Sequence, residues 1–370
     1  MSSPESAMVA APTPEPAAAE PAAAEPAAAE PAAAEPAAAE PAAAEPAAAE
    51  PAAEAAPAPT AEAALQPKIA PTGILLVDKP GGFTSHDVVA RSRKLLQTRK
   101  VGHAGTLDPM ATGLLVLGVG SSTRLLTFLV GADKEYVATI RLGQSTVTDD
   151  REGDRIAAAA EAQVRAIPAE RIREGVAKLT GDILQRPSSV SAIKVDGKRS
   201  YDRVRSGEDV ELPSRPVTVS EFVVTDIREA TTDDGLAALD LEVRVVCSSG
   251  TYIRALARDL GDDLGVGGHL TALRRTRVGP FRVSDAVQLD AENYAGALHP
   301  AADVAADLFP TAQLDADQTL ALEQGKRVKL PTTPDAPIVA ALAPDGRLIG
   351  LVRVKKSETK VVVNFPVVQS

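Results

Sequence analysis

Seven consecutive copies of Pro-Ala-Ala-Ala-Glu, from Pro16 to Glu50, set the first limit on what this 370-residue chain can fold into. A proline every fifth residue removes a backbone donor and clashes with the preceding turn, so a continuous helix is excluded. The tract has no aromatic and no branched apolar side chain, so it cannot bury enough surface to offset the cost of ordering. A five-residue unit is also too short to stack as a solenoid. Residues 1–69 are therefore expected to be a disordered, semi-extended tail, serving as a solubilising segment or a tether.

The tail also dominates the charge. Of the net −11, residues 1–69 contribute −10, from eleven glutamates against Lys68 alone, which leaves the remaining 301 residues close to neutral. Nucleic acid stays open as a partner, because binding it needs a local basic cluster and not a positive total. About 300 residues suffice for one large domain and a smaller one. The single cysteine, Cys247, rules out a disulfide framework and lies in an apolar strand pattern, where it reads as a small buried hydrophobe. No run has the length of a membrane span and no signal-type apolar segment is present, so a cytoplasmic protein is expected.

Along the body, Gly73 to Val77 reads as a strand, and Thr84-Ser85 as a helix start with Val88, Val89, Leu95 and Leu96 as core positions. A buried strand follows through Leu114, Val116 and Val119, then a short helix over Leu125 to Val130 and a strand over Lys134 to Leu142. Pro168 to Thr180 has helical spacing, Leu239 to Val245 alternates as a half-buried strand, and Ile253, Leu256, Leu260 and Leu264 share a helix face. Gly296 to about Thr311 reads as a loose connection. Beyond it, strands flank the turn Pro344-Asp345-Gly346 in a β-rich module of roughly 60 residues. Interspersed helices and hairpin-like strands make this an α+β pattern.

One segment stands out chemically. Gly102-His103-Ala104-Gly105-Thr106-Leu107-Asp108-Pro109 places a carboxylate in a tight, glycine-flanked loop just before the apolar run Ala111 to Val119. Loops on a rigid scaffold are where chemistry concentrates, although Asp-Pro is also an ordinary turn pair. Three basic clusters accompany it: Arg91, Arg93, Lys94, Arg99 and Lys100; Lys194, Lys198, Arg199, Arg203 and Arg205; and Arg274, Arg275, Arg277 and Arg282. Together they suggest a phosphate path along single-stranded or looped RNA, with Tyr136, Tyr201 and Tyr252 as stacking platforms. No phosphate-binding glycine loop, dinucleotide fingerprint or nucleophile elbow is present. His86, His103, His269 and His299 lack the paired spacing of metal ligands, so no metal is expected.

The body resembles the bacterial TruB family of tRNA pseudouridine synthases. The matching segments are Gly73 to Pro80 with Thr84-Ser85, Gly102 to Pro109, Lys134-Glu135-Tyr136, Gln185 to Lys194 with Gly197, Arg199 and Tyr201, Gly250-Thr251-Tyr252-Ile253-Arg254, and Leu273-Arg274-Arg275. They span about residues 73–290 in the family's order. The resemblance implies a catalytic domain over 70–295 with a mixed, largely antiparallel sheet, a mobile thumb over about 183–216, and a PUA-like RNA-binding domain over 310–368. It implies isomerisation of uridine 55 in the T loop of tRNA by a monomer. Asp108 would be the catalytic aspartate, Arg254 its partner and Tyr136 the tyrosine stacked on the target base. His103 would insert into the T loop, and Tyr252 and Leu273 would line the pocket. Lys79, Lys194, Arg199, Arg274 and Arg275 would bind substrate. The chain departs from the family after Gln185, where Pro187 is followed by Ser188-Ser189-Val190 in place of a second proline and an aromatic.

The chemistry agrees with that implication. Moving a base from an N1–C1′ to a C5–C1′ bond consumes nothing, so no cofactor is needed. A carboxylate, ionised at neutral pH, can attack carbon or assist proton removal from the sugar, and an arginine would orient it. Flipping out a stacked base costs a few kcal/mol, which an inserted imidazole and a stacking tyrosine would offset. Two other readings use the same residues: a non-catalytic helper of tRNA folding, which does not need Asp108, and a base-removing hydrolase, which would leave an abasic site.

Overall fold

Apolar runs cut by glycine turns lay most of this chain down as sheet. The computed structural model describes residues 71–188 and 212–365, with the backbone alone of 194–195 and 198–199. The expected tail, most of the expected thumb and the side chains of Lys194 and Arg199 lie outside the described residues.

The strands are β1 (Gly73–Lys79), β2 (Val101–His103), β3 (Thr112–Val119), β4 (Lys134–Leu142), β5 (Gln144–Thr146), β6 (Arg155–Ala158), β7 (Gly181–Gln185), β8 (Lys194–Val195), β9 (Lys198–Arg199), β10 (Arg215–Thr231), β11 (Ala237–Cys247), β12 (Gly268–Val278), β13 (Phe281–Arg282), β14 (Val287–Gln288), β15 (Thr311–Gln313), β16 (Ala336–Leu342), β17 (Leu348–Lys355) and β18 (Glu358–Asn364). The helices are α1 (Ser85–Leu95), α2 (Leu126–Val130), α3 (Glu161–Arg165), α4 (Ala169–Lys178), α5 (Ile253–Asp263), α6 (Ala301–Leu308) and α7 (Ala316–Glu323).

The main sheet runs β14-β1-β3-β12-β4-β11-β10-β7, with β2 added to β3 and β13 to β12. Only β1–β14 and β3–β12 pair in parallel, so the sheet is mixed but largely antiparallel, within the expected α+β class. β3 is buried from Gly113 to Val119, as a strand covered on both faces must be. Gly113 is required where β3 begins. Its φ is +98°, and a Cβ there would stand 2.3 Å from the carbonyl oxygen of Arg275. β12 carries two register shifts against β4, one of them between Arg275 and Arg277, where Thr276 is the extra residue. Arg275 therefore points inward opposite Tyr136 while Arg274 and Arg277 stand opposite Val137 and Glu135 on the other face.

Helix starts follow local chemistry. Thr84 caps α1 and forms a reciprocal capping box with Asp87. Val88, Val89 and Leu96 are buried as expected, but Leu95 is 40% exposed, because it falls off the apolar stripe at the helix end. The connection expected to be loose between Gly296 and Thr311 contains α6, which buries Val304 and Ala305; its alanines favour helix even over two turns. The C-terminal sheet β15-β16-β17-β18 is partnered by α7, whose Asp315–Gln318 capping box is a start signal the sequence reading passed over. This sheet shares an apolar cluster with the main one: Ile74 and Leu114 lie in the same buried group as Val304, Ala340, Leu351 and Phe365. Cys247 is buried, as its strand pattern implied. Among the described residues no helix is long and apolar enough to cross a membrane.

Gly113→Ala should lower stability by about 2–3 kcal/mol, from backbone strain and the collision with β12. Urea unfolding would register this as a lower midpoint at unchanged slope, and a wild-type midpoint would show that the two strands can part without cost.

Candidate active site

Three side chains moor the loop that carries Asp108. Ser85 Oγ donates to Leu107 O at 3.2 Å and accepts from Leu107 N–H at 2.9 Å. Arg275, 1% exposed, donates from Nε to Leu114 O at 2.7 Å and from its terminal nitrogens to Gly105 O at 3.1 Å and Thr106 O at 3.4 Å. Lys79, fully buried, donates from Nζ to Phe83 O at 2.6 Å, Pro80 O at 3.0 Å and Pro109 O at 3.2 Å. Burial lowers the Lys79 ammonium to about 8, against the opposing pull of Asp108 and Glu152.

Lys79 and Arg275, both expected to bind substrate, donate here to backbone carbonyls. Arg275 does line the cleft wall, whereas Lys79 does not. The third basic cluster is thereby divided. Arg274, on the outer face, is paired with Asp78 at 2.7 Å and is still 42% exposed, and Arg277 is held by Asp133 at 2.7 Å.

Asp108 is 36% exposed and faces α5. Arg254, from the first turn of that helix, approaches it with Nε at 3.0 Å from one carboxylate oxygen and Nη2 at 3.3 Å from the other, a two-pronged pairing. The same guanidinium donates to Thr148 O at 2.9 Å and meets Asp150 at 3.3 Å. Asp150 is buried and held in turn by Thr148 Oγ1 at 2.6 Å and the Glu152 N–H at 3.0 Å. Arg254 thus bridges a solvent-facing and a buried carboxylate, which leaves its guanidinium little room to turn.

A cleft of about 250 Å³ opens beside Asp108, walled by Tyr136, Tyr252, Arg254, Leu273 and Arg275, with Lys134 at its side. Five residues singled out from the sequence with Asp108 therefore converge on one site from β4, β12 and the start of α5. Burial raises the Tyr136 phenol above its ordinary value despite Arg275, so it is a neutral ring at neutral pH. Burial also lowers the Lys134 ammonium to about 8; it donates to Ala132 O at 2.7 Å and Val130 O at 3.0 Å. His103 does not line the cleft. It stands edge-on to His86, with ring centres 5.7 Å apart, and its buried Nδ1 makes no hydrogen bond among the described residues. Burial, with His86 beside it, lowers its pKa, so the imidazole is neutral at neutral pH. A larger, open groove of about 880 Å³ between α4 and β10 holds Arg173 and Asp226 but no carboxylate–arginine pair like that at Asp108.

Sequence reasoning missed Asp150 and Gln185 as members of the site. Asp150 had a weak signal, the Asp149-Asp150 doublet behind a strand end; Gln185 had none beyond its place in a quoted motif.

A carboxylate on a moored loop, an arginine from a helix start and a tyrosine on the central sheet thus meet at one cleft, and comparison with known proteins makes the chain a pseudouridine synthase. The chain belongs to the TruB family. The TruB family pseudouridylate synthase N-terminal domain matches residues 93–253, the tRNA pseudouridylate synthase B C-terminal domain residues 254–299, and the tRNA pseudouridine synthase II C-terminal domain residues 309–366. The tRNA pseudouridine synthase B of Leifsonia xyli subsp. xyli is 58% identical over 298 residues, covering 80% of this chain and 97% of that protein. The tRNA pseudouridine synthase B of Streptomyces griseus subsp. griseus is 55% identical over 295 residues, covering 80% and 97%. Among solved structures, an H/ACA RNP bound to a substrate RNA containing 2′-deoxyuridine contains a similar chain. Its TM-score is 0.58 at 25% identity, over 79% of this chain and 84% of that one. The archaeal box H/ACA sRNP Nop10–Cbf5 complex gives 0.57 at 25% identity, over 80% and 88%.

Asp150→Ala would leave Arg254 with one carboxylate and a buried charge short of compensation. A loss of about 3 kcal/mol in unfolding free energy is expected, with Asp150→Asn losing less; equal stability of all three proteins would show that water replaces the buried carboxylate.

Proposed function

We propose that this protein converts uridine 55 in the T loop of tRNA to pseudouridine. The observation that carries the reading is the two-pronged Asp108–Arg254 pair at the mouth of a cleft walled by Tyr136 and Tyr252. The relatives named tRNA pseudouridine synthase B support tRNA as the substrate.

In this reading the target uridine is flipped from its stack into the cleft, where the neutral Tyr136 ring supports it. His103, uncharged and set apart from the cleft, fills the gap the base leaves in the T loop. Asp108, oriented by Arg254, acts on the sugar, either by bonding to C1′ or by taking the C2′ proton, as the N1–C1′ bond breaks. The base turns and C5 bonds to C1′ as Asp108 departs from C1′, or as C2′ regains its proton; the C5 proton then leaves and N1 gains one. The sum is an isomerisation that needs no co-reactant. Burial raises the Tyr136 pKa, which keeps the ring a neutral stacking surface with little phenolate at neutral pH. Arg274 and the exposed cluster Arg91, Arg93, Lys94, Arg99 and Lys100 track phosphates, and the C-terminal β-rich unit serves as a PUA-like RNA-binding domain.

The test uses unmodified tRNA transcript with wild type and Asp108→Asn. Carbodiimide–primer-extension mapping should stop at position 55 with wild type only, while Asp108→Asn loses at least about 10³-fold in rate and keeps its tRNA affinity. Binding by both proteins with no stop would establish a non-catalytic RNA binder. An abasic site would establish a hydrolase.

A further inference from the structure

Tyr252 and Arg254, which form one wall of the cleft, stand at the start of α5, where a helix has backbone groups its own hydrogen bonds do not satisfy. Tyr252 is the N-cap and makes no side-chain cap. A side chain 67 residues away grips its backbone instead. Gln185 Nε2 donates to Tyr252 O at 3.0 Å, and the Tyr252 N–H donates to Gln185 Oε1 at 2.8 Å. Gln185 is 1% exposed and is the last residue of β7, in register with Arg215 of β10, so the sheet fixes its main chain while its amide faces α5. One residue further on, Arg186 O accepts from Arg258 Nη2 at 2.7 Å, and Arg258 also pairs with Asp149.

A carboxamide presents one donor and one acceptor side by side, the complement of a peptide N–H and C=O. Two such bonds fix the rotation as well as the position of the helix start. We infer that Gln185 is a positioning residue for pseudouridine formation, its amide setting where Tyr252 and, two residues on, the Arg254 guanidinium stand relative to Asp108. It does not line the cleft and acts through Tyr252. The inference rests on the function proposed above.

Gln185→Glu tests it, because an ionised carboxylate would set two acceptors against Tyr252 O. Burial and that repulsion would raise its pKa. Protonated, it regains one donor and one acceptor, and the clamp. The charged groups of the elements meeting there include Asp182 of β7 and Arg186 just beyond it, Arg215 of β10, Arg254, Arg258, Asp259, Asp262 and Asp263 of α5, and Asp149 and Asp150 of the loop before β6. These groups are common to wild type and variant, so the quantity to follow is the ratio of variant to wild-type rate at each pH.

Single-turnover pseudouridine formation on saturating unmodified tRNA transcript would be followed from pH 5.5 to 8.5. Gln185→Glu should run within about threefold of wild type at the acid end and fall about 10–100-fold behind at the alkaline end, with tRNA affinity held within about threefold. Returning the same sample to pH 5.5 should restore the rate, which unfolding would not allow. Gln185→Ala should be slow across the whole range. A flat Gln185→Glu ratio, or a Gln185→Ala rate equal to wild type, would overturn the clamp while leaving the enzyme reading intact. A loss that follows tRNA affinity or melting temperature at every pH would do the same. An inactive wild type would bring down the functional reading and this inference together.

Discussion

Two buried cations bracket the loop that carries Asp108, and the site's geometry depends on them. Arg275 takes the carbonyls of Gly105, Thr106 and Leu114, and Lys79 takes those of Pro80, Phe83 and Pro109. A short loop crossing the sheet end has too few partners for its own carbonyls, and an unsatisfied buried carbonyl is costly. A guanidinium and an ammonium settle three of them, those of Gly105, Thr106 and Pro109, and tie them to carbonyls of β3 and of the turn before α1. Among the described residues neither cation is ion-paired with a carboxylate, so carbonyl dipoles hold their charge in contact, with the longer-range pull of Asp108 and Glu152 added at Lys79. That leaves Asp108, on the outer side of the loop, to Arg254.

The two arginines at the site therefore do different work. Arg275 is structural, a spacer between β12 and the loop. Arg254 is shared between Asp108 and Asp150, and the buried Asp150 anchors it so that the outer carboxylate meets an already oriented fork. Orientation fixed before substrate arrives lowers what binding must supply.

Much of this was legible in the sequence. Continuous apolar runs gave away β1 and β3, alternation gave away β4 and β11, and the family resemblance pointed to Asp108, Tyr136, Tyr252, Arg254 and Leu273 as site residues. What could not be read was which basic residues face outward. Arg274 and Arg275 are adjacent letters with opposite fates, because successive strand residues take opposite faces. Lys79 looked like any exposed turn lysine, and only the three carbonyls that close on it show otherwise. α6 and α7 escaped because each is two turns long, too short for a period to register.

Over this stretch β12 holds one residue more than its partner strand, Thr276. Were Thr276 paired in regular alternation instead of bulged, the residue two places beyond Arg275 would follow it to the inner face. Arg277 would then be driven toward the apolar layer that now holds Val278 and Phe281. The bulge acts as a phase correction. It lets one short strand deliver a cation to the loop beneath it and then return to presenting charge to solvent. Sequence spacing in this strand is thus a matter of parity as much as of residue type. Deleting the bulged residue itself would leave the faces as they are, whereas drawing it into regular pairing would exchange the inner and outer faces of the strand's C-terminal end, even with every arginine retained.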